Sequence, residues 1–399
     1  MDARPWLVLF VALIGNFGFW LYCFNRVNAT GIPRSATKRI EKVFILASFL
    51  IPLCLLLTEW EPILDWLRSA EWWPTAGATL FRMYGAWSVA SFFVLGVGWL
   101  ESRFWIIPPK HRLSQVVKRF DVDQSIDGGS AGDRFTAFLH SLPGNEIFRL
   151  EVTEKELLIP RSIPGIDGFK IGHISDLHFT GQYRPEHYQY VLQRFQELQP
   201  DWIVIAGDII DKPKCIPWLR ELLSPLAAPY GCSFVLGNHD RRITDIDAIA
   251  RELVDFGFHD LGAQEQHFQT KTGVRVAASG NELPWLSRKD SEAVGFAVGS
   301  VSGVEGAELR VAVSHSPDQI SWARNRKADL MLAGHTHGGQ VRFPGIGPIV
   351  APSRYGSKFA SGVFFLPPTL MHVSRGVAGT HPLRWRCLPE VSLLTLRST

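Results

Sequence analysis

The sequence predicts an α/β domain preceded by an all-α membrane region, and three observations carry that prediction. Long uncharged runs fill the first quarter of the 399 residues, together with nine of the fourteen Trp. From about residue 146 onward, short apolar strands alternate with helical stretches. Short phrases rich in His and Asp follow several of these strands, where open α/β sheets present their functional residues.

Three segments are candidates to cross a bilayer. Residues 6–24 form 19 uncharged positions, close to the roughly 20 needed to span a hydrocarbon core about 30 Å thick. Its apolar core exceeds that of a signal peptide and no small-residue cleavage site follows, which favours an uncleaved anchor. Residues 83–100 form a second run with Trp87 and Trp99 near its ends, where aromatic rings favour the headgroup zone. Residues 43–58 are shorter and contain Pro52, so a span and a re-entrant or interfacial segment both stay open. The loop between the first two runs carries Arg26, Arg34, Lys38, Arg39 and Lys42, and Arg103, Lys110, Arg112, Lys118 and Arg119 follow the third. Glu59, Glu61, Asp65 and Glu71 dominate the loop between. Because Lys and Arg collect on the cytoplasmic side, three spans place the N-terminus outside and the remainder of the chain in the cytoplasm, attached to the inner or plasma membrane.

Residues 1–104 are therefore expected as the membrane region, 105–145 as a basic linker and 146–399 as the catalytic domain. Pro108-Pro109 ends any continuing helix. Residues 111–120 read either as a basic amphipathic segment lying on headgroups or as a solvated connector. Residues 147–159 read as a hairpin turning at Thr153-Glu154-Lys155-Glu156. Strands are then expected at 170–174, 202–206, 233–236, 275–278, 309–313 and 330–332, and helices at 185–198, 216–226 and 246–255. A net charge of +3 is too small to argue for a nucleic-acid partner. Five Cys, an odd count without a CxxC pair, read as buried or free thiols and disfavour a disulfide framework, although two in the globular part could still meet in space.

The chemistry lies in Asp176-Leu177-His178, Gly207-Asp208, Gly237-Asn238-His239-Asp240, a lone His315 and Gly334-His335-Thr336-His337. A lone DxH or GD occurs by chance, but these phrases together place five of the thirteen His beside carboxylates and an amide. Oxygen and imidazole donors without thiolate suit Mn, Fe or Zn. These phrases, in this order, resemble the signature of the calcineurin-like metallophosphoesterases. The run from Gly334 to Gln340 followed by Ser374-Arg375-Gly376 resembles the bacterial membrane-associated branch.

The resemblance implies a two-sheet αββα sandwich and two divalent metal ions, with manganese expected. It assigns Asp176, His178, Asp208 and His337 to one metal and Asp208, Asn238, His315 and His335 to the other, Asp208 bridging. It implies hydrolysis of a phosphodiester or pyrophosphate by metal-activated water, with His239 as general acid or hydrogen-bond donor and Asp240 orienting its ring. Arg241, Arg242 and Arg375 are candidates to meet a second phosphate or to be simply solvated, whereas His173 and His372 read as core residues. Membrane lipids and a lipid-linked phosphate substrate are the expected partners. UDP-2,3-diacylglucosamine hydrolysis in lipid A synthesis is the narrower alternative. A nucleotide-binding sensor or scaffold without turnover is the alternative of another class, disfavoured because no ligand and no substrate-facing His is missing.

Overall fold

The structure, a computed structural model, describes residues 2–74, 77–104, 110–287, 308–379 and 381–399. Two units arise, one of residues 1–107 with 354–358, the other of residues 108–353 with 359–399. Pro108-Pro109 lies outside the described residues.

In the first unit α1 (Arg4–Val27), α2 (Arg34–Thr58) and α4 (Thr79–Phe104) are each long and apolar enough to cross a membrane. The short α3 (Trp60–Arg68) buries Ile63, Trp66 and Leu67. α2 starts nine residues before the apolar run expected at 43–58 and continues through Pro52, so the segment is one helix of 25 residues. Gly15 lets α1 approach α4, since a Cβ there would stand 1.9 Å from the Ser88 carbonyl oxygen. The Asn16 amide bonds the Ser48 carbonyl at 2.9 Å and accepts from the Tyr84 hydroxyl, pairing polar groups that an apolar surround would leave unsatisfied.

The second unit begins with β1 (Arg112–Asp121), the one-turn α5 (Val122–Ser125), α6 (Arg134–His140), β2 (Arg149–Leu158) and β3 (Lys170–Ile174). There follow α7 (Pro185–Gln196), β4 (Trp202–Ala206), β5 (Cys232–Val235), α8 (Ile246–Asp255), β6 (Phe258–Asp260), β7 (Gln266–Gln269) and β8 (Arg275–Asn281). The chain ends with β9 (Glu308–Ser314), α9 (Ile320–Asn325), β10 (Leu330–Ala333), β11 (Arg342–Phe343), β12 (Gly347–Pro348), β13 (Gly362–Leu366), β14 (Thr369–Val373) and β15 (Glu390–Arg397). One sheet has the order β1-β2-β15-β3-β4-β5-β6 and the second β13-β14-β10-β9-β8-β7. Both are mixed, and the two-sheet sandwich expected from the family resemblance is present.

The period of two along β4 explains the layers. Ile203 and Ile205 face α7 and α8 with Tyr188, Phe195 and Leu253, while Trp202 and Val204 face Val311, Leu330 and Leu332 of the second sheet. Parallel pairing of β3, β4 and β5, and of β8, β9, β10 and β14, brings the carboxyl ends of both sets to one rim.

Three expectations are corrected. Residues 112–121 are neither headgroup helix nor connector but β1, paired antiparallel with β2 along its length, so the catalytic unit begins well before residue 146. Residues 149–158 are one continuous strand rather than a hairpin. The charged run mimics a turn because its inward polar groups are compensated from elsewhere: Lys155 is buried against Glu390, Thr153 and His372. His372 Nδ1 in turn meets His173 Nδ1 at 2.8 Å, which makes these two histidines core residues as expected. The helix expected over 216–226 is reduced to a single turn at Leu219–Leu223.

Candidate metal centre

Every metal phrase sits just past a strand end on the shared rim: Asp176 and His178 after β3, Asp208 after β4, Asn238 after β5, His315 after β9, and His335 and His337 after β10. The backbone is bent hard there. Asp176, His178, Asp208, His335 and His337 all have φ between 47° and 70°, half of the ten non-glycine residues with positive φ among the described residues. Such strain persists only where surrounding structure over-determines it, and it collects at functional sites. Ladder-like bonds supply the constraint: Asp176 N–H to Gly207 O at 3.0 Å and His178 N–H to Asp208 O at 2.9 Å. Gly237 is required for approach, because a Cβ there would stand 2.2 Å from Asp208 Oδ1.

Asp176, His178 and His337 bring donor atoms within 4.8 Å of one another, and Asp208, His315 and His335 do the same. Asp208 also groups with His178 and His239, which puts its carboxylate between the two clusters. His178 Nε2 lies 3.6 Å from Asp208 Oδ2 and 3.3 Å from His337 Nε2, and His315 Nε2 lies 3.1 Å from Asp208 Oδ2. The fit to divalent cations rests on orphaned atoms. Asp208 Oδ2, Asn238 Oδ1, His315 Nε2 and His335 Nε2 are buried without a hydrogen bond of good geometry, a costly arrangement unless a cation satisfies it. Six of the seven residues expected as ligands are thereby brought together, and Asn238, the seventh, keeps a buried Oδ1 without a hydrogen bond.

The tautomers suit this role. His315 Nδ1–H donates to Ala206 O at 2.8 Å, so Nε2 is left for a metal. His178 Nδ1 faces Asp211 Oδ2 at 3.2 Å, again leaving Nε2 inward. Asp211 was not singled out in the sequence, yet its carboxylate also meets His239 Nδ1 at 3.0 Å and Arg242 Nη1 at 3.1 Å. Burial would raise the Asp211 carboxyl, but the His178 imidazole, then His239, hold it well below the usual range. Asp211 is thus an anion that accepts from both rings. Its signal was available: Gly207-Asp208-Ile209-Ile210-Asp211 puts a second carboxylate one turn-length beyond the bridging one.

Asp240 does not orient His239. Its carboxylate accepts the backbone N–H groups of Asp208 (3.1 Å), Ile209 (2.9 Å), Ile210 (2.9 Å) and Gly237 (2.7 Å), fastening the loop that carries Asp208. Burial, with the Asp208 charge, lifts its carboxyl to about 7. For His239 burial pushes the imidazole down to about 4 against the Asp208 and Asp211 carboxylates. For His315 burial would lower the imidazole, but Asp208 beside it raises it to about 9.

Two further residues escaped the sequence reading. Arg384, buried at 1% exposure, donates from Nη1 to the carbonyl oxygens of His337 and Arg375 at 2.9 Å each. Trp285 lays its ring 4.5 Å from that of His335 and walls that side of the site. Arg375 points away from the site into Glu151 and Glu390, so it is a structural ion-pair member and not a phosphate contact. Arg242 lies beside His239, with Nη2 3.5 Å from Nε2. Arg241 is exposed.

Comparison with known proteins agrees with this geometry. The family model for calcineurin-like phosphoesterases matches residues 169–339. The metallophosphoesterase YkuE of Bacillus subtilis is 32% identical over 257 residues, which cover 62% of this chain and 85% of that protein. The chain belongs to the calcineurin-like metallophosphoesterase family. As a metallophosphoesterase it is a hydrolase of phosphoric esters. A UDP-2,3-diacylglucosamine pyrophosphatase of Chlamydia muridarum, LpxG, is 24% identical over 61% of this chain and 88% of its own. A transmembrane protein with a metallophosphoesterase domain from Danio rerio is 22% identical over 83% of this chain and 75% of its own, a match that extends into the apolar N-terminal region.

Proposed function

We propose that the protein is a membrane-anchored phosphoesterase that cleaves a phosphodiester or pyrophosphate in a lipid-linked substrate. The observation that carries the hydrolytic reading is the pair of donor clusters linked by Asp208, which groups with His315 and His335 of one and with His178 of the other, while Asp208 Oδ2, Asn238 Oδ1, His315 Nε2 and His335 Nε2 are buried without a hydrogen bond. Asp176, His178, Asp208 and His337 would hold one divalent cation, and Asp208, Asn238, His315 and His335 the other. When bound, the pair would neutralise phosphate charge and lower the pKa of a water towards about 7.

The chain's own groups orient and supply protons. Ionised Asp211 fixes His239 through Nδ1; because burial holds the imidazole down to about 4 in the free site, His239 would serve as a general acid only once a bound phosphate stabilises the imidazolium. The Arg242 guanidinium, fixed by the same carboxylate, stands beside His239 Nε2 and is placed to pair with a phosphoryl oxygen.

Three apolar helices support membrane anchoring, and the distribution of Lys and Arg in the loops supports a cytoplasmic catalytic unit at the inner or plasma membrane. A site tethered in this way gains most when its substrate shares the bilayer. The relative named as a UDP-2,3-diacylglucosamine pyrophosphatase favours a nucleotide-linked glycolipid pyrophosphate as the narrower reading, and manganese is the expected metal. The test is untargeted: membranes carrying the protein, or its Asp208→Asn variant, are incubated with total lipid extract and Mn²⁺. Loss of one phosphorylated lipid only with the native protein is expected. Turnover of a soluble diester with no lipid consumed would overturn the lipid-linked part. A reporter fused after Thr399 that reads outside the membrane would overturn the orientation.

A further inference from the structure

Two exposed apolar segments of the catalytic unit have no role in the site just described. α6 and the turn after it expose Phe135 (60%), Phe138 (60%) and Leu142 (38%). The loop around β11 and β12, Phe343-Pro344-Gly345-Ile346-Gly347-Pro348-Ile349-Val350, exposes Phe343 (39%), Ile346 (46%) and Val350 (46%). Sequence distance separates them by about two hundred residues, but the 382–385 stretch joins them. The Asn145 amide donates to Pro382 O at 3.1 Å and accepts from Arg384 N–H at 2.9 Å, which ties α6 to that stretch. Trp385 packs over Gly144 on one side and meets the Phe343 ring at 5.7 Å on the other, while Arg342 N–H donates to Trp385 O at 3.0 Å.

The patch borders the metal centre. Arg384 holds the His337 carbonyl, and the second loop closes on Gly339, whose Cβ would stand 2.3 Å from Pro348 Cβ. Exposed apolar side chains gathered on linked segments beside a site mark an interaction surface. Residues 341–353 and 381–388 contain no acidic residue and include Arg342 and Arg386, a charge balance that suits anionic headgroups. The chain also brings its own bilayer. Three helices earlier in the chain are each long and apolar enough to cross a bilayer.

We propose that this rim, Phe135, Phe138 and Leu142 with Phe343, Ile346 and Val350, inserts into the headgroup and acyl boundary of an anionic bilayer and turns the metal centre towards it. The inference rests on the membrane-anchored reading above and adds the surface through which the catalytic unit meets the lipid.

The test uses the full chain in nanodiscs of phosphatidylcholine with phosphatidylglycerol, in a Cys23→Ser and Cys54→Ser background; the three other cysteines are buried. A polarity-sensitive fluorophore is attached at Phe138→Cys, at Ile346→Cys, or at Lys271→Cys as a control. Lys271 lies in the turn between β7 and β8, at the opposite strand ends. Lipids with a shallow doxyl quencher are expected to quench the first two labels at least threefold more than the control. A Phe135→Asp/Phe343→Asp pair should reduce that difference at least twofold while hydrolysis of bis-p-nitrophenyl phosphate in detergent stays within twofold, which shows the fold intact. Equal quenching at all three positions overturns the proposal. So does a label shielded from water yet insensitive to doxyl lipid, since protein would then cover the patch. Loss of soluble-diester hydrolysis in the unsubstituted protein would instead strike the phosphoesterase reading, and rim quenching without lipid turnover would strike only the choice of substrate.

Discussion

Replacing Asp211 by Asn is the sharpest probe of how this site is organised. The carboxylate accepts from His178 Nδ1 at 3.2 Å, His239 Nδ1 at 3.0 Å and Arg242 Nη1 at 3.1 Å. An amide keeps one acceptor oxygen and turns an NH2 group towards one of these donors. At least one charge-assisted hydrogen bond is lost, worth about 1.5–3 kcal/mol, which is about 10–100-fold in rate. Loosening the outer partner of a metal-ligating His typically costs a further 10–100-fold in activity or metal affinity. Together these place kcat/KM for a soluble diester about 10²–10⁴-fold below the native protein, with metal content measured alongside. His239→Ala alone should cost about 10²–10⁴-fold with metals retained. Because Asp211 acts partly through His239, its replacement in the His239→Ala background should cost only about 10–100-fold, the share that passes through His178. Equal losses in both backgrounds would show that Asp211 and His239 do not work as a unit. Activity within threefold of native in Asp211→Asn would remove Asp211 from the mechanism altogether.

Asp208→Asn should lower activity further than any single His replacement and reduce bound metal from about two ions per chain, as read by elemental analysis; native metal content would refute the bridging role. Chelation should stop hydrolysis, with Mn²⁺ expected to restore it. In the chelated protein the His315 imidazole, raised to about 9, carries a proton that a cation must displace. Apparent metal affinity should therefore climb about tenfold per pH unit between roughly pH 6.5 and 9, and an affinity flat with pH would refute this. The same shift stabilises the chelated fold below about pH 6.5 and is lost as pH rises through about 9, so its Tm should fall across that window. A chain starting at Lys110 should fold and hydrolyse a soluble diester, whereas one starting at Ile147 lacks β1 and α6 and should lose cooperative unfolding; equal Tm values would show that β1 is dispensable.

Local sequence determined the parts whose signal is local. Strands β3 and β4 and helix α8 follow from apolar period and flanking turns with the boundaries expected, and the apolar runs at 6–24 and 83–100 lie within α1 and α4, whereas the run at 43–58, which allows a span or a re-entrant segment, lies within the longer α2. The clustering of Asp176, His178, Asp208, His315, His335 and His337 was legible because each lies in a short phrase just past a strand, and parallel strands deliver such phrases to one edge. Tertiary structure decided what depended on distant partners. Thr153-Glu154-Lys155-Glu156 looks like a turn until Glu390, 235 residues from Lys155, supplies the buried countercharge that keeps it in a strand. Residues 112–121 look like a connector because β1 is an edge strand with one neighbour, and only pairing with β2 gives it structure. Asp240 and Asp211 are equally acidic in sequence. Only the packing of the loop after β4 against the loop after β5 turns Asp240 towards four backbone amides and Asp211 towards two imidazoles, because a carboxylate's role is set by the donors that surround it.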